Sequence, residues 1–399
     1  MSSVNDEIVR IAARGDGVTA DGRHVAFGVP GDLVQADGAL VHGPHHAEPP
    51  CRHFPTCGAC QLQHADEVTL REFVTDRVLN AAAGQGVEPG EVLATHLSPA
   101  RSRRRATLHG LKVQRGFVLG FREERSSRVV DMHECHVLRP ELFALVAPLR
   151  QMLAKVAGRH PVDVALTLVD QGVDCAISGV VPEGLEATEA LLDFARDHRL
   201  ARLSVDHGFG MEATWEPEPV TVALSGVPVG FPQGAFLQPT QDGEDVLLSD
   251  AKVGVQGAET IIDLFSGLGT FAFGMAGARQ TVAVEGARDL SLACRQAAGR
   301  AQLPVEAVHR DLFRAPLQPD ELARFEAVVL DPPRAGAREQ VAALARSPVA
   351  RVAYISCNPS SWARDAKALI EAGFRLQTLR PVGQFRWSTH VELTSVFLR

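Results

Sequence analysis

Among 399 residues there is no long unbroken apolar run, and no charged-then-apolar leader opens the chain. Neither a membrane span nor export is therefore expected. A surplus of positive charge is also missing. The net charge of −8 argues against nonspecific binding of nucleic acid over the whole surface, though it leaves room for a local basic groove. Cysteine is sparse, with seven residues. Without an export signal these belong to a reducing compartment, the cytoplasm, so metal binding or catalysis is expected of them before disulfides. Hydrophobic residues at 45% and charged residues at 22% are ordinary for a globular protein, and the length allows two or three domains.

Two short stretches carry the most chemistry. Asp331-Pro332-Pro333-Arg334 follows the apolar run Ala327–Leu330, and Ser356-Cys357-Asn358-Pro359 follows Val352–Ile355. Each reads as the carboxyl end of a buried strand opening into a loop, where α/β sheets place their ligands. One loop offers a carboxylate and the other a thiol. That thiol is either a nucleophile or a small buried packing residue.

From about residue 241 strands and helices alternate. Thr260–Phe265 runs into Ser266-Gly267-Leu268-Gly269-Thr270, a strand entering a glycine turn and a helix. Glu285 ends the next strand and is placed to bind ribose hydroxyls; Asp311 ends the one after and is placed to accept from an adenine amino group. The turn has neither a third glycine nor a lysine, so a nucleoside cofactor without phosphates fits better than a dinucleotide or a triphosphate. Together these features predict an S-adenosylmethionine domain over 241–399.

Upstream, residues 1–45 alternate apolar pairs with turn residues and read as a small β module. A linker rich in histidine and proline follows. Residues 46–240 then form a central region. It opens with Cys51, Cys57 and Cys60, whose spacing suits thiolate ligation of zinc or an iron–sulfur cluster, with His64 or Cys135 as the fourth ligand. A helix is predicted over 68–83. From Arg101 to Arg128 nine Lys/Arg face two Glu, a local +7 read as a phosphate-binding strip on strands. The loop Phe231–Pro239 carries Phe236 and Gln238, an aromatic and an amide suited to stacking and hydrogen-bonding a base.

As a whole the sequence resembles the RNA (uracil-5-)-methyltransferases, specifically the branch that carries a 4Fe-4S cluster and modifies 23S ribosomal RNA. The resemblance runs nearly end to end. It rests on the N-terminal module (similar to a TRAM domain), the four cysteines, Phe236-x-Gln238, Asp263 to Gly269, Asp331–Arg334, Ser356–Pro359 and His390-Val391-Glu392. It implies a class I, Rossmann-like α/β methyltransferase fold with a central α+β iron–sulfur domain. Cys357 would be the nucleophile and Glu392 the general base, with Phe236, Gln238 and Asp331 at the uracil. Asp263, Phe265, Gly267, Gly269, Glu285 and Asp311 would line the cofactor site, with Gln238 and Asp331 at its edge. Cys51, Cys57, Cys60 and Cys135 would hold the cluster. The partner would be RNA, ribosomal before transfer RNA, and the enzyme a monomer.

The chain departs from the family pattern at Thr240, where asparagine is usual, at Gly383, where an acid is usual, and at Arg386, where proline is usual. Two other readings stay in view. An RNA cytosine-5 methyltransferase would share the thiol chemistry but typically carries a cysteine in the Asp-Pro-Pro-Arg loop, and none is there. A non-catalytic RNA-binding or assembly factor would need neither Cys357 nor Glu392.

Overall fold

The computed structural model describes residues 6–399 apart from Arg115, His207, Phe209 and Ala278. Arg115, one of the nine basic residues of the 101–128 strip, thus lies outside the described residues.

Four apolar side chains in a row, Ala327–Leu330, are all fully buried, so this strand is covered on both faces. That is the signature of the middle of a parallel sheet. The sheet has nine strands. In spatial order they are Val305–His309, Gln280–Glu285, Thr260–Leu264, Ala327–Leu330, Arg351–Ser356, Glu392–Leu398 and Arg375–Gly383. The first five run parallel, and Glu392–Leu398 inserts antiparallel between its neighbours. From Thr260–Leu264 the chain builds outward to one side, then returns to build on the other. This reversal opens a crevice at the carboxyl ends of Thr260–Leu264 and Ala327–Leu330.

Two short strands from far upstream, Glu91–Val92 and His96–Leu97, extend the same sheet by pairing with Arg375–Gly383. The helix before them, Glu67–Ala83, starts at an Asp66 cap whose carboxylate accepts from Thr69 N at 2.8 Å.

A second sheet has six strands in the order Met211–Trp215, Arg202–Asp206, Gly172–Ser178, Val162–Val169, Arg105–Val113 and Gly116–Gly120. Arg202 and Asp174 form a buried two-pronged ion pair, both contacts 2.9 Å, across its one parallel pairing. Arg104, expected on an outward basic strip, points inward instead. Its guanidinium, just before the strand Arg105–Val113, donates to the Gln238 carbonyl at 2.9 Å and to Glu244 at 2.6 Å. It ties this sheet to the segment that carries Gln238. Residues 6–41 form a third, five-stranded sheet. Among the described residues no helix is long and apolar enough to cross a membrane.

Behind the crevice, buried Asp365 accepts from Tyr354 Oη and from Ala337 N, both at 2.8 Å. Asp365→Ala leaves both donors buried without an acceptor. It should lower the unfolding free energy by about 3 kcal/mol, measured by urea denaturation; an unchanged midpoint would show that neither bond matters.

Candidate active site

The glycine turn after Thr260–Leu264 is shaped by backbone that ordinary residues avoid. Gly269 sits at φ +93°, and a Cβ there would lie 2.8 Å from Cys294 Sγ and 2.9 Å from the Phe273 ring. Gly267 sits at φ +55° with open space beside it. Phe265 adopts φ +63° despite its side chain, and strain of this kind gathers at ligand sites. Its ring meets Phe313 at 5.3 Å between centroids. Phe313 is half-exposed and had no motif to mark it in the sequence.

Acidic groups converge on this turn. Asp263 accepts from Ala272 N at 2.9 Å through Oδ2, whereas its Oδ1 and the nearby Ser266 Oγ are buried without a partner. Burial, then the charges of Asp331 and Glu285, push the Asp263 carboxyl well above its usual pKa. Glu285 accepts from Gly267 N at 2.9 Å and from Ala287 N at 2.7 Å. Asp311, exposed beyond the following strand, accepts from Phe313 N at 3.0 Å and Arg314 N at 3.3 Å. Orphaned buried oxygens beside a glycine cradle fit a ligand bearing an ammonium and hydroxyls, as S-adenosylmethionine does.

Across the crevice lies a groove of about 780 Å³ whose walls include Cys357, Glu392, Phe236, Arg105, Arg334 and His390. Cys357 is fixed by its neighbours. Asn358 caps the helix Pro359–Glu371 and donates through Nδ2 to the Arg334 carbonyl at 2.9 Å, and Ser361 Oγ donates to the same carbonyl at 3.0 Å. The thiol loop and the Asp331–Arg334 loop are thereby one unit. Burial, then the charges of Glu392 and Asp331, raise the Cys357 pKa to about 11, while Arg334 opposes them. The positive end of the helix that starts just beyond it also favours the thiolate.

Glu392 opens its strand and is almost wholly buried. Burial and Asp331 push its carboxyl to about 8, against a hydrogen bond from Gln384 and the charge of Arg105. Asp331 itself is raised to about 7 by its low-dielectric surroundings. Phe236 is exposed, with the Arg105 guanidinium 4.5 Å over its ring. Gln238 is buried behind it and accepts from Gln384 Nε2 at 3.1 Å.

Gln384 is the residue that sequence reasoning missed. Its amide donates to both Gln238 and Glu392, so it joins two expected site residues. The three departures from the family pattern surround it. Thr240 donates to Gln384 Oε1 at 3.4 Å and meets Ser98 Oγ at 2.9 Å. Arg386 donates to the Ser98 carbonyl at 3.2 Å and to Glu67 at 3.1 Å. At Gly383 a Cβ would come within 2.5 Å of the Leu97 side chain, which would have to shift to admit it. Only the fold shows that these positions form one patch behind Glu392.

The four candidate cluster cysteines come together from distant segments. Cys51, Cys57, Cys60 and Cys135 line one small cavity of about 20 Å³, walled by Phe54, Phe121, Met132 and Val137. His64, the other candidate ligand, is not among the lining residues; its ring stacks on Phe54 at 5.6 Å. Burial raises the Cys57 thiol to about 11 and the Cys60 thiol to about 12. Among the described residues no group of three or more His, Cys, Asp or Glu side chains is arranged to hold a metal ion as it stands. Cys175 and Cys294 are simply buried.

Comparison with known proteins decides the family. Residues 308–399 match the tRNA (uracil-5-)-methyltransferase family model. An uncharacterized RNA methyltransferase of Zymomonas mobilis is 49% identical over 98% of this chain and 99% of its own length. The 23S rRNA (uracil(1939)-C(5))-methyltransferase RlmD of Pectobacterium carotovorum is 31% identical over 90% of this chain and 82% of its own. The chain belongs to the RNA (uracil-5-)-methyltransferase family. It is an S-adenosylmethionine-dependent RNA methyltransferase. In fold it is similar to the Pyrococcus abyssi tRNA (uracil-54, C5)-methyltransferase solved with S-adenosyl-L-homocysteine, with a TM-score of 0.75 at 22% identity, covering 99% of this chain and 100% of that one.

In this RNA (uracil-5-)-methyltransferase, Gln384→Leu removes a donor that holds the Glu392 carboxyl down. The Glu392 pKa should rise above about 8, and the acid limb of the pH profile of kcat/KM should move to higher pH. An unmoved limb with lower activity would assign Gln384 a packing role only.

Proposed function

We propose that this enzyme methylates C5 of a uridine in ribosomal RNA, 23S before any other, with Cys357 as nucleophile and Glu392 as base. The observation that supports it most is the meeting of a thiol and a buried carboxylate in one groove, beside a cradle fitted to the methyl donor. Uracil C5 is a weak nucleophile. Addition of the Cys357 thiolate to C6 turns the ring into an enolate, which Gln238 and Asp331 stabilise along the uracil edge. Asp331 with a pKa near 7 can donate as well as accept there. Bound S-adenosylmethionine supplies the electrophilic methyl group. Glu392 then takes the C5 proton, and the carbon–sulfur bond breaks to restore the double bond and release Cys357. The base must be unprotonated to act, so activity rises as pH climbs through about 8.

The cofactor would be held by Asp263 and Glu285 with the backbone of Gly267 and Gly269, between Phe265 and Asp311. The ring must leave any helical stack to expose both faces, and Arg105 over Phe236 offers a surface to receive it. The likeness to a 23S rRNA enzyme at 31% identity favours ribosomal over transfer RNA. The enzyme is proposed to work as a monomer in the cytoplasm.

The four thiols line one cavity, and we propose that they hold the 4Fe-4S cluster that the family resemblance implies. A 4Fe-4S cluster there would deprotonate the thiols and cross-link Cys135 to the Cys51–Cys60 loop. Anaerobically purified protein should carry iron and visible absorption, both lost in Cys135→Ala; zinc without iron would refute the cluster.

Methyl transfer to unmodified 23S rRNA and tRNA, read by nucleoside analysis, tests the reaction. 5-Methyluridine should form on the rRNA, vanish in Cys357→Ala, and fall about 10²–10⁴-fold in Glu392→Gln. Because Glu392→Gln stalls elimination, it should accumulate a covalent protein–RNA adduct on denaturing gels. 5-Methylcytidine as product, or full activity in Cys357→Ala, would overturn the assignment.

A further inference from the structure

Beside the main groove lies a second recess of about 270 Å³, formed where the N-terminal module meets the cysteine loop. The two spaces share the hairpin tip Glu124–Arg125 as a common wall. A strand leaving the groove over that tip enters the recess directly. Its floor includes Phe54 and Gln61.

Phe27 projects into the recess from the N-terminal module, 44% exposed although large and apolar. Its backbone is left-handed, at φ +60°, a conformation that costs energy for a residue with a Cβ. The ring touches Phe54 and His64 in T-shaped contacts, each at 5.8 Å, which hold it in place without covering it. Arg14 lines the same recess and forms no ion pair among the described residues. Arg125 pairs at 3.3 Å with its own neighbour Glu124, and Asp16 stands 3.7 Å from His24. Cations and acids thus balance, so the recess suits the face and edge of a base more than a cluster of phosphates.

We propose that this recess is a second nucleotide subsite, which takes a base of the same RNA strand flanking the target uridine and stacks it on Phe27. The proposal rests on the reading that single-stranded RNA occupies the main groove. An exposed, rigidly held aromatic ring next to an unpaired arginine is what sequence-tolerant binding of a single strand uses. The recess is also wired to the catalytic loop. Gln61 N and Leu62 N both donate to the Trp387 carbonyl, at 2.7 and 2.9 Å, five residues before Glu392.

The test is binding of fluorescent oligouridylates, about three and about nine nucleotides long, to the full chain by anisotropy. Wild type should bind the longer strand more tightly. Phe27→Leu keeps an apolar side chain but lacks the aromatic face; it should lose roughly five- to hundred-fold in affinity for the longer strand and bind the shorter one as wild type does. Phe27→Trp should restore the loss, which a folding defect would not allow. Equal affinities of wild type and Phe27→Leu for both lengths would overturn the subsite. The outcome is separable from the reaction itself. Length-dependent binding that needs Phe27 upholds the subsite even if no 5-methyluridine forms, and 5-methyluridine formation with indifference to Phe27→Leu refutes the subsite alone.

Discussion

Two carboxyl groups share one poorly hydrated corner of this molecule, and their burial there sets the electrostatics around it. Asp331 is raised to about 7 and Glu392 to about 8, with burial the leading cause in each. Glu392 has counterweights. Gln384 donates to Glu392, and Arg105 lends its charge from across the groove. The same negative charges oppose ionisation of Cys357.

The fold serves this corner by bringing three distant segments to one edge of a sheet. The Asp331 and Cys357 loops leave adjacent parallel strands and are tied by Asn358 and Ser361 to one carbonyl. Glu392 arrives on the antiparallel strand inserted next to them. Arg104, buried at the start of the six-stranded sheet, binds the segment that carries Gln238 and so ties that segment to the sheet. The cysteine loop adds a third brace through the Trp387 carbonyl. Stability and positioning are here the same set of bonds.

Much of this was legible in the sequence because parallel strands announce themselves. Runs such as Ala327–Leu330 and Val352–Ile355 are apolar on both faces, so the loops after them mark the ligand edge without further help. Gly267 and Gly269 read correctly as a turn, since both adopt positive φ, which favours glycine. Gln384 was illegible for the opposite reason. Its partners, Gln238 and Glu392, are 146 and 8 residues away, and no local period connects them. Arg104 was misjudged as a surface cation because charge counts ignore which way a strand residue faces. Phe27 belongs in the sequence to the apolar run Val25–Phe27, yet the strand ends at Val25 and Phe27 lies in the turn after it; Phe313 stands in a turn with no pattern.

The account rests on Cys357 attacking uracil C6, and covalent trapping tests that most directly. RNA carrying 5-fluorouridine has no proton at C5 for a base to remove, so a thiol adduct would not be released after methyl transfer. Incubation of the wild-type enzyme with S-adenosylmethionine and 5-fluorouridine-substituted 23S rRNA should give a protein–nucleotide adduct that maps by peptide mass spectrometry to Cys357 alone. An adduct on any other of the seven cysteines, or methylated RNA released with no adduct, would contradict it.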